Sequence, residues 1–214
     1  VVKPGAVGRP LADNMMKLGD DGEILVKGPQ VFSGDAGPLN HDLFTDDGFF
    51  RTGDVGTFDS DGFLHITDRK TNLVPATGDK HVSPRELELA LNLSTLIDQS
   101  CVVFDSQGAP AALLVPRFQI LEIYARGKAI PFDTRRDLLA HETILALYKS
   151  VIQGINRSRL SNEKIRAFRL LENPFTLETG ELSPTLRLKR PEILEKYSRE
   201  ITDLFHDGVC RVDS

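Results

Sequence analysis

Apolar and polar positions in the first 68 residues come in short runs broken by turn residues. Glu23-Ile24-Leu25-Val26-Lys27 and Phe63-Leu64-His65-Ile66-Thr67 have the length and branched or aromatic content of strands. The pairs Asp21-Gly22, Asp47-Gly48 and Asp61-Gly62 mark hairpin turns, because Asp-Gly tolerates positive φ. Pro29, Gly34, Gly37 and Pro38 make residues 29–43 a loop. The pattern predicts a β-rich segment over residues 1–68.

A different pattern begins near residue 72. Ser83-Pro84-Arg85-Glu86 reads as a helix start, with Ser83 as N-cap, Pro84 at the first helical position and Glu86 reaching back. That helix runs to about Asn92. Strands follow near 100–104 and 111–117, then a short helix near 119–127 and a long helix within 135–157. A further strand lies near 165–171, and the last helix starts near Pro191. Along the long helix, Leu138, His141, Leu145, Tyr148, Ile152 and Ile155 form one stripe, which makes His141 a packed or half-buried residue rather than a ligand. Strands and helices mixed in this way predict a small α+β domain, with helices on a mostly antiparallel sheet. The chain as a whole is expected to be α+β, without repeats.

Composition narrows the function classes. With 214 residues the chain holds one large domain or two small ones, and 40% hydrophobic and 27% charged residues are ordinary for a packed globule. A net charge of −5 argues against nucleic acid as a partner, since a phosphate backbone demands clustered Lys and Arg. No apolar run is long enough for a membrane span, and residues 1–10 lack the apolar core of a signal peptide. Cys101 sits in an apolar run and Cys210 in a polar tail, so no disulfide framework is expected and a cytoplasmic setting is the default. The five histidines have no metal spacing. Val1-Val2-Lys3-Pro4 is an abrupt beginning, read as the edge of a fragment of a longer protein.

The candidate chemistry starts at Phe49-Phe50-Arg51-Thr52-Gly53-Asp54 and continues, one hairpin later, at Asp68-Arg69-Lys70. A glycine between a threonine and an acid is expected to present Asp54 on a tight turn. There its carboxylate can accept two hydrogen bonds from a vicinal diol. Arg69 adds a fixed cation. Such a pair is the minimum needed to hold a nucleotide ribose, although Thr-Gly-Asp alone is an ordinary turn with a solvated acid.

These segments, with Gly5-Ala6-Val7-Gly8-Arg9-Pro10-Leu11 and Gly22-Glu23-Ile24-Leu25-Val26-Lys27-Gly28 before them, closely resemble the C-terminal third of the adenylate-forming enzymes. That family comprises acyl-CoA synthetases, adenylation domains and luciferases. The resemblance continues to about Tyr197. It implies that residues 1–68 end a large N-terminal domain, that 69–71 form a hinge pivoting at Thr71, and that 72–214 form a mobile C-terminal lid. It further implies that Asp54 holds both ribose hydroxyls and that Arg69 touches the same ribose. Thr71 stands where relatives commonly carry Asp or Lys, and its β-branch makes it stiffer than either. Pro75-Ala76-Thr77-Gly78-Asp79-Lys80-His81-Val82-Ser83-Pro84 resembles the loop that approaches the pantetheine arm of CoA, with Gly78, Asp79 and Lys80 as its candidates. Phe175-Thr176-Leu177-Glu178-Thr179-Gly180-Glu181-Leu182-Ser183-Pro184-Thr185-Leu186-Arg187-Leu188-Lys189-Arg190 resembles the family's last motif. Its catalytic lysine bridges the acyl carboxylate and the α-phosphate. Arg187 takes that position here, and Lys189, two residues on, shares its side if the segment is extended.

The length and layout of residues 118–172 resemble long-chain fatty acyl-CoA synthetases. The expectation is therefore the C-terminal fragment of an ATP-dependent long-chain fatty acid–CoA ligase. Its cofactors would be ATP/AMP, with Mg2+ carried by the nucleotide, and CoA. Its partners would be a fatty acid, CoA and the N-terminal domain of the same parent, with peripheral membrane contact left open. The fragment alone is expected to be inactive. Two alternatives stay open: a fatty acyl-AMP ligase or acyl-carrier-protein synthetase, and a non-catalytic interaction module derived from the lid, which Arg187 favours.

Overall fold

The computed structural model describes residues 3–31, 43–75, 81–206 and 210–212. The chain divides into two compact units, Val1–Leu73 and Val74–Ser214. It has the α+β character expected.

The first unit is one antiparallel sheet in chain order: β1 (Met15–Leu18), β2 (Glu23–Lys27), β3 (Phe50–Phe58) and β4 (Leu64–Arg69). The three Asp-Gly pairs turn as expected, with Gly22, Gly48 and Gly62 at φ of 78°, 79° and 77°. Most of the loop foreseen over 29–43 lies outside the described residues. Ile24, Leu25, Phe63 and Leu64 form the buried apolar centre. The β3–β4 pair is unusually close at Gly56, where a Cβ would stand 2.4 Å from the His65 carbonyl oxygen, so no larger residue fits.

The second unit opens with the short pair β5 (Val74–Pro75) and β6 (His81–Val82). Helix α1 (Pro84–Asn92) follows, and the Ser83 hydroxyl caps it by accepting the Glu86 N–H at 3.2 Å, as foreseen. A three-stranded sheet comes next, in the order β7 (Ile97–Phe104), β8 (Pro110–Pro116), β9 (Ala167–Leu170). Between β8 and β9 lie α2 (Phe118–Gly127), α3 (Arg135–Ala140) and α4 (Glu142–Asn156), and α5 (Arg190–Lys196) and α6 (Ser198–His206) close the unit. The central strand β8 is buried throughout, and its alternation separates two cores. Ala112 and Leu114 join Leu87, Leu91, Leu121, Ile144, Tyr148 and Ile152 from α1, α2 and α4. Ala111, Leu113 and Val115 join Phe175 with Ile193 and Leu204 from α5 and α6. The sheet thus carries helices on both faces.

Two expectations need correction. β7 and β8 are antiparallel, but β8 and β9 are parallel, because the three helices between them carry the chain back to the starting end of the sheet. The long helix within 135–157 is two helices. Thr134 and Asp137 form a capping box that starts α3, and His141 adopts an extended conformation whose Nδ1 accepts the Thr143 N–H at 3.2 Å, capping α4. His141 is half-buried, as expected, but as a cap between helices.

Candidate functional site

Asp54 does not lie on a tight turn. It sits inside β3, at a bulge. Leu25 pairs with Arg51 and Glu23 with Val55, so Thr52, Gly53 and Asp54 stand opposite Ile24 alone. Each residue of the motif has a part in this kink. The Thr52 hydroxyl donates to the Ile24 carbonyl at 2.8 Å and accepts the Asp54 N–H at 3.1 Å. Gly53 supplies a φ of 70°. On its other edge β3 pairs with β4 so that Asp54 is directly opposite Arg69. The Arg69 Nε donates to Asp54 Oδ1 at 3.0 Å, and the side chains are 68% and 27% exposed. The pair expected from sequence is therefore assembled, and Asp54 keeps acceptor capacity beyond the oxygen that Arg69 occupies.

A third carboxylate organises this site. Glu23 is buried, with 3% of its side chain exposed. Its Oε1 accepts the Gly53 N–H at 3.1 Å, while Oε2 accepts Lys70 Nζ at 3.0 Å and Arg51 Nη1 at 3.3 Å. One acid thus fixes the backbone before Asp54 and the side chain after Arg69. Lys70 also pairs with Asp21 at 2.6 Å. Asp21, chiefly through this hydrogen bond, lies below the usual carboxylate range, and Lys70 is raised by the same partner first and by Glu23 second. The sequence signal for Glu23 was a charged residue at an inward position of a strand, next to a turn glycine.

Thr71 lies exposed in a 3-10 turn, Lys70–Asn72, within the first unit. The buried Asp68 carboxylate accepts the Arg69 N–H at 2.7 Å and the Asn72 amide at 3.0 Å. Gly78, Asp79 and Lys80 lie outside the described residues.

In the second unit, Arg187 and Lys189 stand on a small hairpin. Leu182 bridges Leu188, the Ser183 N–H bonds to the Arg187 carbonyl at 2.8 Å, and the Ser183 hydroxyl accepts the Arg187 N–H at 3.1 Å. Leu182 and Leu188 pack on the second core, so the alternating Arg187 and Lys189 face away from it. The Arg187 side chain is exposed and has no hydrogen bond or ion pair with a described residue. Lys189 occupies the N-cap position of α5 without a side-chain capping bond and pairs with Glu192 at 3.4 Å. These two cations lie exposed on the same side of the hairpin.

Other reactive groups are accounted for by packing. Burial pushes the Cys101 thiol up to about 12, which leaves it protonated and inert. Among the described residues, no group of three His, Cys, Asp or Glu could hold a metal ion, and no helix is long and apolar enough to cross a membrane.

The fold is that of the C-terminal part of solved adenylation domains. The adenylation domain of a carboxylic acid reductase from Segniliparus rugosus, solved with AMP and a carboxylic acid, superposes with a TM-score of 0.66 at 23% identity, over 93% of this chain and 32% of that one. No family model matches the sequence. In sequence the chain resembles long-chain fatty-acid–CoA ligases. It is 36% identical over 208 residues to the long-chain-fatty-acid–CoA ligase FadD15 of Mycobacterium tuberculosis, covering 96% of this chain and 34% of that protein. It is 30% identical over 216 residues to the long-chain-fatty-acid–CoA ligase 6 of Rattus norvegicus, covering 94% and 31%. The chain spans about a third of the length of these curated relatives.

Proposed function

We propose that this chain is the C-terminal part of an ATP-dependent ligase that activates a long-chain fatty acid as acyl-AMP and passes the acyl group to CoA. The observation that carries the reading is the Asp54–Arg69 pair, set opposite each other across β3 and β4 by a bulge that Glu23 anchors. The geometry fits a ribose. Asp54 accepts from the two vicinal hydroxyls, and Arg69 holds the carboxylate in orientation while contributing donors of its own.

In the first step a fatty-acid carboxylate oxygen attacks the α-phosphorus and pyrophosphate leaves. In the second the CoA sulfur attacks the acyl carbonyl and AMP leaves. Arg187 and Lys189 provide positive charge for the first step, where the carboxylate and α-phosphate meet. Mg2+ carried by the nucleotide would neutralise charge on the phosphates. Residues 69–71 serve as the joint between the two units, with Thr71 as the pivot, and Gly78, Asp79 and Lys80 border the pantetheine path in the second step. The two free cysteines, Cys101 and Cys210, fit a cytoplasmic setting.

The test is to supply the full-length parent with ATP, CoA and saturated fatty acids of graded length. The expected outcome is acyl-CoA, AMP and pyrophosphate in equal amounts, with a preference for long chains. Acyl-AMP that accumulates without transfer to CoA would point to the acyl-AMP ligase alternative. Absence of any adenylate would favour a non-catalytic module, a reading supported by the arginine at position 187.

A further inference from the structure

The hairpin that carries Arg187 and Lys189 is tied down at both feet by buried carboxylates, Glu181 within the last motif and Glu88 outside every motif of the site. At the first foot, Glu181 has 1% of its side chain exposed. Its carboxylate accepts Lys196 Nζ at 2.5 Å, the Thr179 hydroxyl and the Thr176 N–H, and its carbonyl accepts the Lys189 N–H at 2.8 Å. At the second foot, Arg190 follows Lys189 directly. Its Nη2 meets both oxygens of the buried Glu88 at 2.8 and 2.7 Å, and its Nη1 donates to the Val102 carbonyl at 3.1 Å. Glu88 Oε1 also accepts the Val102 N–H at 2.8 Å, which joins α1, β7 and the start of α5 through one acid.

Two buried acids with short, charged partners are more than a loop of this size needs in order to stay folded. Leu182 and Leu188 already pack it onto the core. Buried ion pairs are weak sources of net stability, but they fix geometry strictly, because a displaced partner leaves an uncompensated charge. Arg190 gives one guanidinium nitrogen to both Glu88 oxygens and the other to the Val102 carbonyl, which fixes orientation as well as distance.

We propose that Glu88 and Glu181 are positioning residues for acyl-adenylate formation: acting through Arg190 and Lys196, they hold the hairpin so that Arg187 and Lys189 present their charge at a fixed place. The inference rests on the ligase reading above and assigns that reading two residues remote from the nucleotide. Rigid placement matters for this step because charge stabilisation of a transition state depends on donors that need not reorganise.

The test uses the full-length parent, with ATP–pyrophosphate exchange reporting adenylation and thioester release from preformed acyl-AMP reporting the second step. Glu88→Gln and Glu181→Gln keep side-chain shape and remove charge. Lys196→Met removes the partly exposed end of one clamp, and urea titration of each variant guards against loss of folding. Each should lower kcat for exchange by about 10–100-fold with little change in KM for ATP, as for a misplacement of about 1 Å. Thioester formation should stay within about twofold, because the charged hairpin has no part in it. Arg190→Lys should behave like Glu88→Gln, since one ammonium does not reproduce the planar group that holds both Glu88 and the Val102 carbonyl. Equal loss in both half-reactions, or no loss in either, would overturn the inference and leave the ligase reading standing. A wild-type parent that exchanges no pyrophosphate and makes no acyl-CoA would remove both.

Discussion

Gly53 and Gly56 stand three residues apart in β3 and are required for different physical reasons. At Gly53 a methyl group would meet nothing within 4 Å, so the constraint is the φ of 70°. Gly53→Ala should therefore cost about 1–2 kcal/mol, the strain of an L-residue in the left-handed region. At Gly56 a Cβ would stand 2.4 Å from backbone on the next strand. Gly56→Ala must push β3 and β4 apart, and should cost about 1–3 kcal/mol or more, as for overpacking. Urea titration of the 214-residue chain checks both. Gly53→Ala should also weaken nucleotide binding by the parent, because it strains the bulge that sets Asp54 against Arg69; unchanged affinity would separate the bulge from the site. Asp54→Ala should weaken nucleotide binding strongly, since hydrogen bonds to an ionised acceptor contribute about 1.5–3 kcal/mol each. Equilibrium binding to the parent measures it, and an unaltered dissociation constant would remove Asp54 from the ribose site.

Among the elements, the first foot of the hairpin carries a pH signature. Burial alone would raise the Glu181 pKa, but the hydrogen bonds from Lys196 and then Thr179 outweigh it and hold the group at about 2. In the unfolded chain a glutamate titrates near about 4.3. The folded value is the lower one, so this contribution to stability is complete above that pH and is lost as pH falls towards 2. Lys196→Met should flatten the dependence of the urea midpoint on pH between about 4.5 and 2 relative to wild type; parallel curves would mean that Glu181 is not coupled to Lys196. The elements themselves were largely legible where local chemistry is decisive. The Asp-Gly turns and the Ser83-Pro84 cap depend on two or three adjacent residues, and they stand where the pattern put them. The break at His141 was hidden because Leu138, Leu145, Tyr148 and Ile152 continue one apolar stripe across it, while the capping interactions of Thr134 and His141 are silent in periodicity. Parallel pairing of β8 and β9 depends on the path of three helices, which no strand sequence records. Asp54 and Arg69 were readable as a pair, but the bulge was not, because it arises from register with β2. Glu23, Glu88 and Glu181 were missed as organisers for a shared reason: each looks like an ordinary surface acid until tertiary structure buries it beside a cation.

At the scale of the whole molecule, the first unit is one sheet around a small apolar centre, the second holds a three-stranded sheet between two cores, and the proposed ligase reading gives the two units different work. The proposed joint at residues 69–71 should be the first place cut when the parent meets a dilute protease, ahead of β3, β4 and β7. Equal resistance of the joint and those strands would argue against independent movement. The central claim is that the second unit brings Arg187 and Lys189 to the carboxylate–phosphate junction during adenylation. Pyrophosphate release by the full-length parent, given ATP and a long-chain fatty acid, tests it most directly when wild type is compared with Arg187→Ala, Lys189→Ala and the double variant. Release should slow by about 10²–10³-fold when the operative charge is lost, as for other preorganised charge stabilisers, while thioester formation from preformed acyl-AMP continues. Pyrophosphate release at the wild-type rate from the double variant would contradict the account.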